Sequence, residues 1–494
     1  MNTDSEKSSY KDILRSTSIF GGSQIIEILV RIIRTKIIAL LLGPVGVGLI
    51  GLYRSTIDLI RSVTGLGLDF SAVRDIAEAN GSDNDVILSK TVRIVHRWVW
   101  FTGMCGTIIM LGFSKALSLH TFGNENYTLG FAILSVVLLF ESIKRGQLAL
   151  LQGLRKVLMM AKAKILGVIA GFIFSIPLYW VFRINGIVPA IVISSFVSLT
   201  FAWYFSKKIK IKAVHIDLKD TYKDGIGMIR LGSFIVIASL AGTAAMYFIR
   251  SFISKKAGLA DVGHFQAAWN LSSVYLTAIL QAMGTDYFPR LSAVQNNNVM
   301  VNKLVNEQTE IALLISGPII VFMLSFIGSI VILLYSTEFN STIDILHWQL
   351  VGTFFKVISW PIAFIFLSKG LGSLVAFFQI SLHVILVALI YYFWDITGIQ
   401  ITGISFLFSY IYYVLVVIGG AHFICNFKFS KNSIKILTVY AIIITFAFLN
   451  SKFITGFTSY SVGTVISLIS VLYSYNKLRK LVDIKKILNN LTKR

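Results

Sequence analysis

Apolar runs of about 20 residues, each long enough to cross a bilayer, recur from one end of this chain to the other. Fourteen are read, at 13–41, 44–73, 90–113, 128–151, 156–182, 185–206, 226–253, 259–288, 308–335, 342–367, 370–394, 401–425, 432–450 and 458–476. Within lipid every backbone polar group must be paired inside the protein, so only helices or a closed barrel can span. Barrel strands are about 10 residues long with alternating polarity. The runs here are twice that length and uniformly apolar, which predicts an all-α integral membrane protein of fourteen transmembrane helices. Composition agrees: 55% of the 494 residues are hydrophobic and 14% charged, and the mean hydropathy is +0.77. One soluble core could not absorb so much apolar surface. The first dozen residues are polar and the first apolar run is a full span without an A-x-A-like cleavage site, so no removable signal peptide is expected.

A net charge of +22 would fit a nucleic-acid partner were it not for where the charges fall. Lys/Arg clusters alternate with the helices. They occur at the N-terminus (Lys7, Lys11, Arg15), at 74–97, 144–164, 207–230, Arg290, Lys303, 428–435 and from Lys477 onward, while the intervening connections are poor in basic residues. The positive-inside rule then places both termini in the cytoplasm, and an even number of passes agrees with the two ends lying on the same side. Lys255-Lys256, on the outer side, is the exception. Cys105 and Cys425 are too few, and too apolar in setting, for a metal site or a disulfide framework.

One offset of 217 residues aligns features through most of the chain. Val45-Gly46 matches Val262-Gly263; Gly67, Asp69 and Phe70 match Gly284, Asp286 and Tyr287; Phe122 matches Phe339; Gly153-Leu154 matches Gly370-Leu371; Gly186-Ile187 matches Gly403-Ile404. Helices 1–6 and 7–12 therefore read as two copies of one unit. Six crossings lie within the offset, so the copies share an orientation and form a parallel repeat about an axis along the membrane normal. Such halves hold substrate at their interface and rock against each other. The expected organisation is an N-terminal six-helix lobe (1–206), a cytoplasmic linker (207–225), a C-terminal six-helix lobe (226–425), and two appended helices with a basic tail (426–494).

Charges inside the spans point to the site, because a charge at that depth is costly and faces a cavity, a partner or a substrate path. Helix 1 carries Glu27, Arg31 and Arg34, and helix 2 carries Arg54, Asp58 and Arg61. Both sets are spaced i, i+4, i+7, which puts each on one helix face. Counting 1.5 Å per residue, Arg31 and Arg54 both lie roughly 15 Å below the outer turn, and Glu27 is level with Asp58. Two readings follow: neutral structural pairs, Glu27 with Arg31 and Asp58 with Arg54, or a cationic pocket in which arginine outnumbers acid. The excess favours the pocket. The repeat adds asymmetry, since Leu271, Tyr275 and Ala278 stand where Arg54, Asp58 and Arg61 would recur. The second copy offers Arg250 and the deeper Lys356 as isolated cations. Arg250 could equally snorkel to the outer interface. His264 reads as an interfacial or hydrogen-bonded histidine. Glu141, Lys144, Arg145, Lys162 and Lys164 read as an ordinary positive rim, with an ion-pair gate as the alternative.

Guanidinium forks bond two phosphate oxygens and stay charged when partly desolvated, so a diphosphate is the natural ligand. Tyr53, Trp269, Tyr275 and Trp348 could stack on sugars, though packing explains most aromatic residues in such a chain. No GxxxxGK[ST], HExxH or GxSxG occurs, which argues against bound ATP as the energy source and against an embedded hydrolase or glycosyltransferase.

The layout of a parallel six-plus-six repeat with two further helices resembles the multidrug/oligosaccharidyl-lipid/polysaccharide exporter superfamily. Three stretches, LGPVGVGLIGLYRSTI at 42–57, GLGLDFSAVRDIAE at 65–78 and FNSTIDILHWQLVGTFFKV at 339–357, are similar to the Wzx-type flippases. The resemblance covers essentially the whole chain. It implies alternating-access movement of undecaprenyl-diphosphate-linked oligosaccharide, an O-antigen unit or the enterobacterial common antigen lipid, across the bacterial inner membrane. It also implies a cationic central cavity, no cofactor, coupling in some members to an H+ or Na+ gradient, and a polysaccharide polymerase and chain-length regulator as partners. By motif Arg54 and Lys356 fall on family-like positions, whereas Arg31, Arg34, Arg61 and Arg250 rest on depth and charge. Glu27 and Asp58 are the residues that could couple an ion. The alternatives are a cation-coupled drug exporter of the same fold, disfavoured by the arginine excess, and a membrane-embedded glycan polymerase, disfavoured by short outer connections.

Overall fold

The computed structural model describes residues 3–82, 84–212, 214 and 216–481. Among these there are helices and no strands. The order is α1 (Thr3–Thr64), α2 (Leu68–Gly81), α3 (Asp85–Gly112), α4 (Ser114–Phe122), α5 (Thr128–Gly153), α6 (Val157–Phe182) and α7 (Ile187–Lys207). After the basic linker come α8 (Leu218–Ala257), α9 (Leu259–Trp269), α10 (Tyr275–Ala293), α11 (Asn298–Ser325), α12 (Ile327–Leu334), α13 (Ser341–Ser368), α14 (Gly372–Thr397), α15 (Ile401–Cys425), α16 (Lys431–Phe453) and α17 (Gly456–Leu481). Eight helical stretches among the described residues are long and apolar enough to cross a membrane, and several contain two helices back to back. The pattern is that of a multi-pass membrane protein and is compatible with the fourteen expected passes.

The order of elements repeats as the sequence does. A hinge at Gly43 inside α1 (φ 62°, ψ −167°) recurs as the turn at Gly258 between α8 and α9. With close to the offset of 217 residues, α3 corresponds to α11, α4 to α12, α5 to α13, α6 to α14 and α7 to α15. Packing follows suit: α5 lies against α3 and α7, and α13 against α11 and α15. The conformation at Gly43 is open essentially to glycine alone, and Pro44 suits the first turn of the helix that follows. Gly43-Pro44 thus folds one long helix into the hairpin expected of spans 13–41 and 44–73.

The second of those spans is not one helix. It stops at Thr64, turns through Gly65–Gly67, where Gly67 takes the left-handed conformation (φ 68°), and resumes as α2. Apolar composition runs straight through the break, which is why hydropathy merges the pieces. The resumed helix buries Leu68, Ala72, Ile76 and Ala79, a stripe at helical spacing. Leu68, Ala72 and Ile76 pack with Val92, Val95, Trp98 and Val99 of α3 and Leu150 of α5. Fully burying Ile76 alone contributes about 1.5–3 kcal/mol. The short helices α4 and α12 and the early start of α11, capped by Asn297, also depart from the expected boundaries.

By contacts the chain divides into two compact units, Met1–Gly263 and His264–Arg494. The repeat counts α8 as the first helix of the second copy, yet α8 packs within the first unit, on α1, α2 and α4. Side chains bolt it there. Trp98 Nε1 donates to the Thr221 carbonyl at 3.1 Å, Arg97 Nη1 donates to Thr221 Oγ1 at 2.5 Å, and Tyr247 shares hydrogen bonds with His120 and Thr121 at 3.0 Å each. In the second unit a polar ladder on α11 holds the loop that leads to α16. Asn302 Oδ1 accepts from the Lys428 backbone N–H at 2.9 Å, and Asn306 Oδ1 accepts from that of Ser430 at 2.7 Å. The buried Glu310 accepts from Ser430, Ser433 and Asn432 at 3.1, 2.7 and 2.5 Å.

Candidate functional site: a cationic cavity in the first unit

The Gly43 hinge decides which charges meet. Arg31 and Arg34 precede it by about three turns, and Arg54 follows it by about three, so the hairpin brings the two charged faces level. The first unit encloses a cavity of about 490 Å³ whose lining includes Glu27, Arg31, Arg34, Arg54, Asp58 and Arg61. All six charges read from the two helix faces therefore stand around one space, of a size usual for a ligand site.

The opposite walls come from α5, α6 and α7. From α5 and α6 come Glu141, Lys144, Arg145 and Lys164, which the sequence places at an ordinary positive rim; the structure sets them in the cavity lining, while Lys162 is not part of it. Altogether seven cationic and three acidic side chains line the space. Two of the acids are engaged: Asp58 Oδ1 lies 3.1 Å from Arg61 Nη2, and Glu141 lies 2.6 Å from Lys144 Nζ. The pair that forms is Asp58–Arg61 at i, i+3, not the Asp58–Arg54 pair of the structural reading, which leaves Arg54 presented to the cavity. Arg31 and Arg54 are exposed although they project into the bundle. Arg34 Nη2 is buried and has no hydrogen-bond partner among the described residues. A buried donor left this way costs about 1–3 kcal/mol, a cost that an anionic ligand would remove.

A second set of lining residues, Ser194, Ser195 and Ser198 on α7, faces the arginines together with Gly167 and Gly171 of α6. Close packing explains the glycines: a Cβ at Gly167 would meet Ser198 at 3.1 Å, and one at Gly171 would meet Ser194 at 3.2 Å. Three hydroxyls clustered over five positions of a mostly apolar helix are the available signal for this wall, and charge-based reading passes over it.

The remaining expected residues do not join this cavity. Arg250, on α8, is buried, donates from Nη1 to the Met246 carbonyl at 3.3 Å and lies within electrostatic reach of Asp58. Its burial excludes snorkelling to the lipid interface, and by packing it belongs to the first unit. Lys356 is in the second unit, where Nζ donates to Thr277 Oγ1 at 2.9 Å and lies 5.9 Å from the centre of the Tyr410 ring. His264 is hydrogen-bonded, with Nδ1 3.3 Å from Thr342 Oγ1. Of the aromatic residues, Tyr53 is buried in a cluster with Phe122, Tyr127 and Phe131. Trp269 packs edge-on against Phe406, and Trp348 packs on Phe448 beneath the Lys452 ammonium. None of these three lines the cavity. The side chains of Tyr275 and Ala278 lie outside the described residues.

Comparison with known proteins agrees with this architecture. The sequence profile of a family described as polysaccharide biosynthesis protein matches residues 37–344. The lipid III flippase of Escherichia coli (strain K12) is 22% identical over 359 residues, covering 71% of this chain and 84% of the flippase. Among solved structures, the lipid II flippase MurJ in an inward closed conformation aligns with a TM-score of 0.73 at 15% identity, over 95% of this chain and 99% of that one. An inward-facing multidrug resistance MATE family transporter of the MOP superfamily aligns with a TM-score of 0.68 at 17% identity, over 80% and 93%. At these identities the structural likeness establishes a shared fold.

Proposed function

The chain belongs to the polysaccharide biosynthesis protein family, and from that premise we propose that it is a flippase for a lipid-linked oligosaccharide. The cargo of this reading is an undecaprenyl-diphosphate-linked O-antigen unit or similar surface-glycan precursor, carried from the cytoplasmic to the periplasmic leaflet of the bacterial inner membrane. The polar head occupies the cationic cavity while the lipid tail stays in the bilayer. The observation that carries the reading is the cavity wall itself, seven cations against three acids inside a membrane-spanning bundle.

Each wall has a task. Arg31, Arg34 and Arg54 present guanidinium forks matched to phosphate oxygens. The Asp58–Arg61 and Glu141–Lys144 pairs engage two of the three lining acids, which leaves the excess of cations to set the field. Ser194, Ser195 and Ser198 supply hydroxyls of the kind that bond sugars. Alternating access then exposes the cavity to one side and the other in turn, and Glu27, the lining acid that forms no ion pair among the described residues, is the group through which an ion gradient would act. A cationic drug as cargo fits poorly, because the lining would repel it.

The test is reconstitution of the purified protein in liposomes with a fluorescent undecaprenyl-diphosphate-linked oligosaccharide, reading headgroup accessibility from outside. Protein-dependent exchange between leaflets that Arg34→Glu and Arg54→Glu abolish is the expected result. Equal exchange in the variants, or none in the wild type while a cationic dye is moved, overturns the reading.

A further inference from the structure

The outer-side pair Lys255-Lys256 breaks the charge pattern of the chain and plays no part in the cavity. It ends α8, and α8 also borders a second hollow. This is an apolar groove of about 350 Å³ in the first unit, lined by Ile60, Ile109, Phe113, Leu117 and Phe248 among others. Phe113 and Phe248 are 62% and 48% exposed, so the groove opens sideways toward lipid.

The groove has a polar end. His120 Nδ1 is 3.0 Å from the Tyr247 hydroxyl, and the His120 carbonyl accepts from Ser251 Oγ at 2.7 Å. Burial, and after it the charge of Lys255, lower the His120 pKa, so the ring is neutral at neutral pH. The charge at this end is carried by lysine. The Lys255 Cγ lies 3.9 Å from where a Cβ on Gly123 would stand, and along α8 Phe248, Phe252 and Lys255 follow at i, i+4 and i+7, one face running from apolar to cationic. Lys115, the other lysine nearby, is paired with Glu125 at 3.0 Å. No such carboxylate pair is found for Lys255 among the described residues.

We infer that this groove binds an anionic glycerophospholipid of the leaflet at the C-terminal end of α8, with an acyl chain along Phe113, Leu117 and Phe248 and the phosphate at Lys255. Charge complementarity selects the occupant: an apolar trough closed by a single ammonium suits a phosphodiester, whereas a diphosphate is better met by paired guanidinium forks. A site of this kind also accounts for Lys255 on the side where the positive-inside rule expects few basic residues.

Native mass spectrometry of the delipidated full-length protein, titrated with phosphatidylglycerol or with phosphatidylcholine of the same chains, tests the inference. Preferential retention of phosphatidylglycerol is expected, and Lys255→Gln lowers that preference about fivefold, the effect of one cation at a charged lipid surface. Ala116→Trp fills the groove and lowers retention of both lipids. Circular dichroism checks that each variant is folded, and the exposed Lys255→Gln carries the test if Ala116→Trp is not. Equal retention of the two lipids by the wild type, or a preference untouched by Lys255→Gln, overturns the inference. Displacement of phosphatidylglycerol from this site by undecaprenyl diphosphate at equal concentration overturns the choice of occupant.

Discussion

Gly48→Ala probes a crossing in the first unit where backbone meets backbone. A Cβ at Gly48 would lie 2.1 Å from the Leu259 carbonyl oxygen and 2.8 Å from the Gly263 nitrogen, and a Cβ at Gly263 would lie 2.0 Å from the Pro44 carbonyl oxygen. All three neighbours are backbone atoms, so no side chain can swing aside. Restoring ordinary contact requires the segment after the Gly43 hinge and the start of α9 to part by roughly 1 Å, in an interior packed to crystal-like density. Overpacking of this kind costs about 1–3 kcal/mol. At about 2–4 °C per kcal/mol for a domain of some 200 residues, the apparent melting temperature falls by roughly 2–12 °C. The assay is thermal unfolding of the purified full-length protein in detergent, followed by tryptophan fluorescence. Gly81→Ala and Gly112→Ala are the controls, because nothing lies within 4 Å of a Cβ at either position, and these should leave the midpoint unchanged or slightly raised. Gly48→Ala combined with Gly263→Ala should cost less than the sum, since both crowd one crossing. A Gly48→Ala midpoint no lower than those of the controls refutes the argument.

Arg54→Glu turns a lining of seven cations and three acids into six and four, and costs about 2 kcal/mol or more of headgroup binding; surface polysaccharide measured at matched protein level should fall steeply. Lys356→Met keeps the volume of the stem and removes the ammonium bonded to Thr277. Transport should drop while the melting temperature holds, and unimpaired transport would remove Lys356 from the substrate path. Glu310→Ala leaves Ser430, Ser433 and Asn432 without their shared acceptor at the start of α16. With bonds to a carboxylate contributing about 1.5 kcal/mol or more each, the second unit should lose about 3–5 kcal/mol, seen as a lower midpoint that Glu310→Gln partly restores.

Much of the candidate site was legible in the chain because depth along a helix is linear in residue number. Counting outward from Gly43-Pro44 places Arg31 level with Arg54 and Glu27 level with Asp58, and all four line one cavity. The ion pairs were not legible in the same way. Asp58 has a cation at both i−4 and i+3, and spacing cannot choose between them; the rotamers do, and Arg61 takes the carboxylate. Glu141 and Lys144 mislead for a related reason, since residues near a helix end read as a rim until the neighbouring helices define where the cavity stops.

Sequence by itself determined that this is a polytopic helical membrane protein built on a doubled unit, with arginine concentrated in one copy. Those are properties of composition, period and offset, which a bilayer and the backbone's need for hydrogen bonds translate directly into helices. Tertiary structure alone decided that the second span breaks at Gly65–Gly67, that α8 packs with the first unit, and that serines of α7 face the arginines. Each of these depends on which surfaces meet: a local turn conformation, a tryptophan and an arginine reaching across to Thr221, and two helices brought close by Gly167 and Gly171. Hydropathy averages over all such contacts, and so a chain can declare its membrane class and its charges long before it declares what those charges confront.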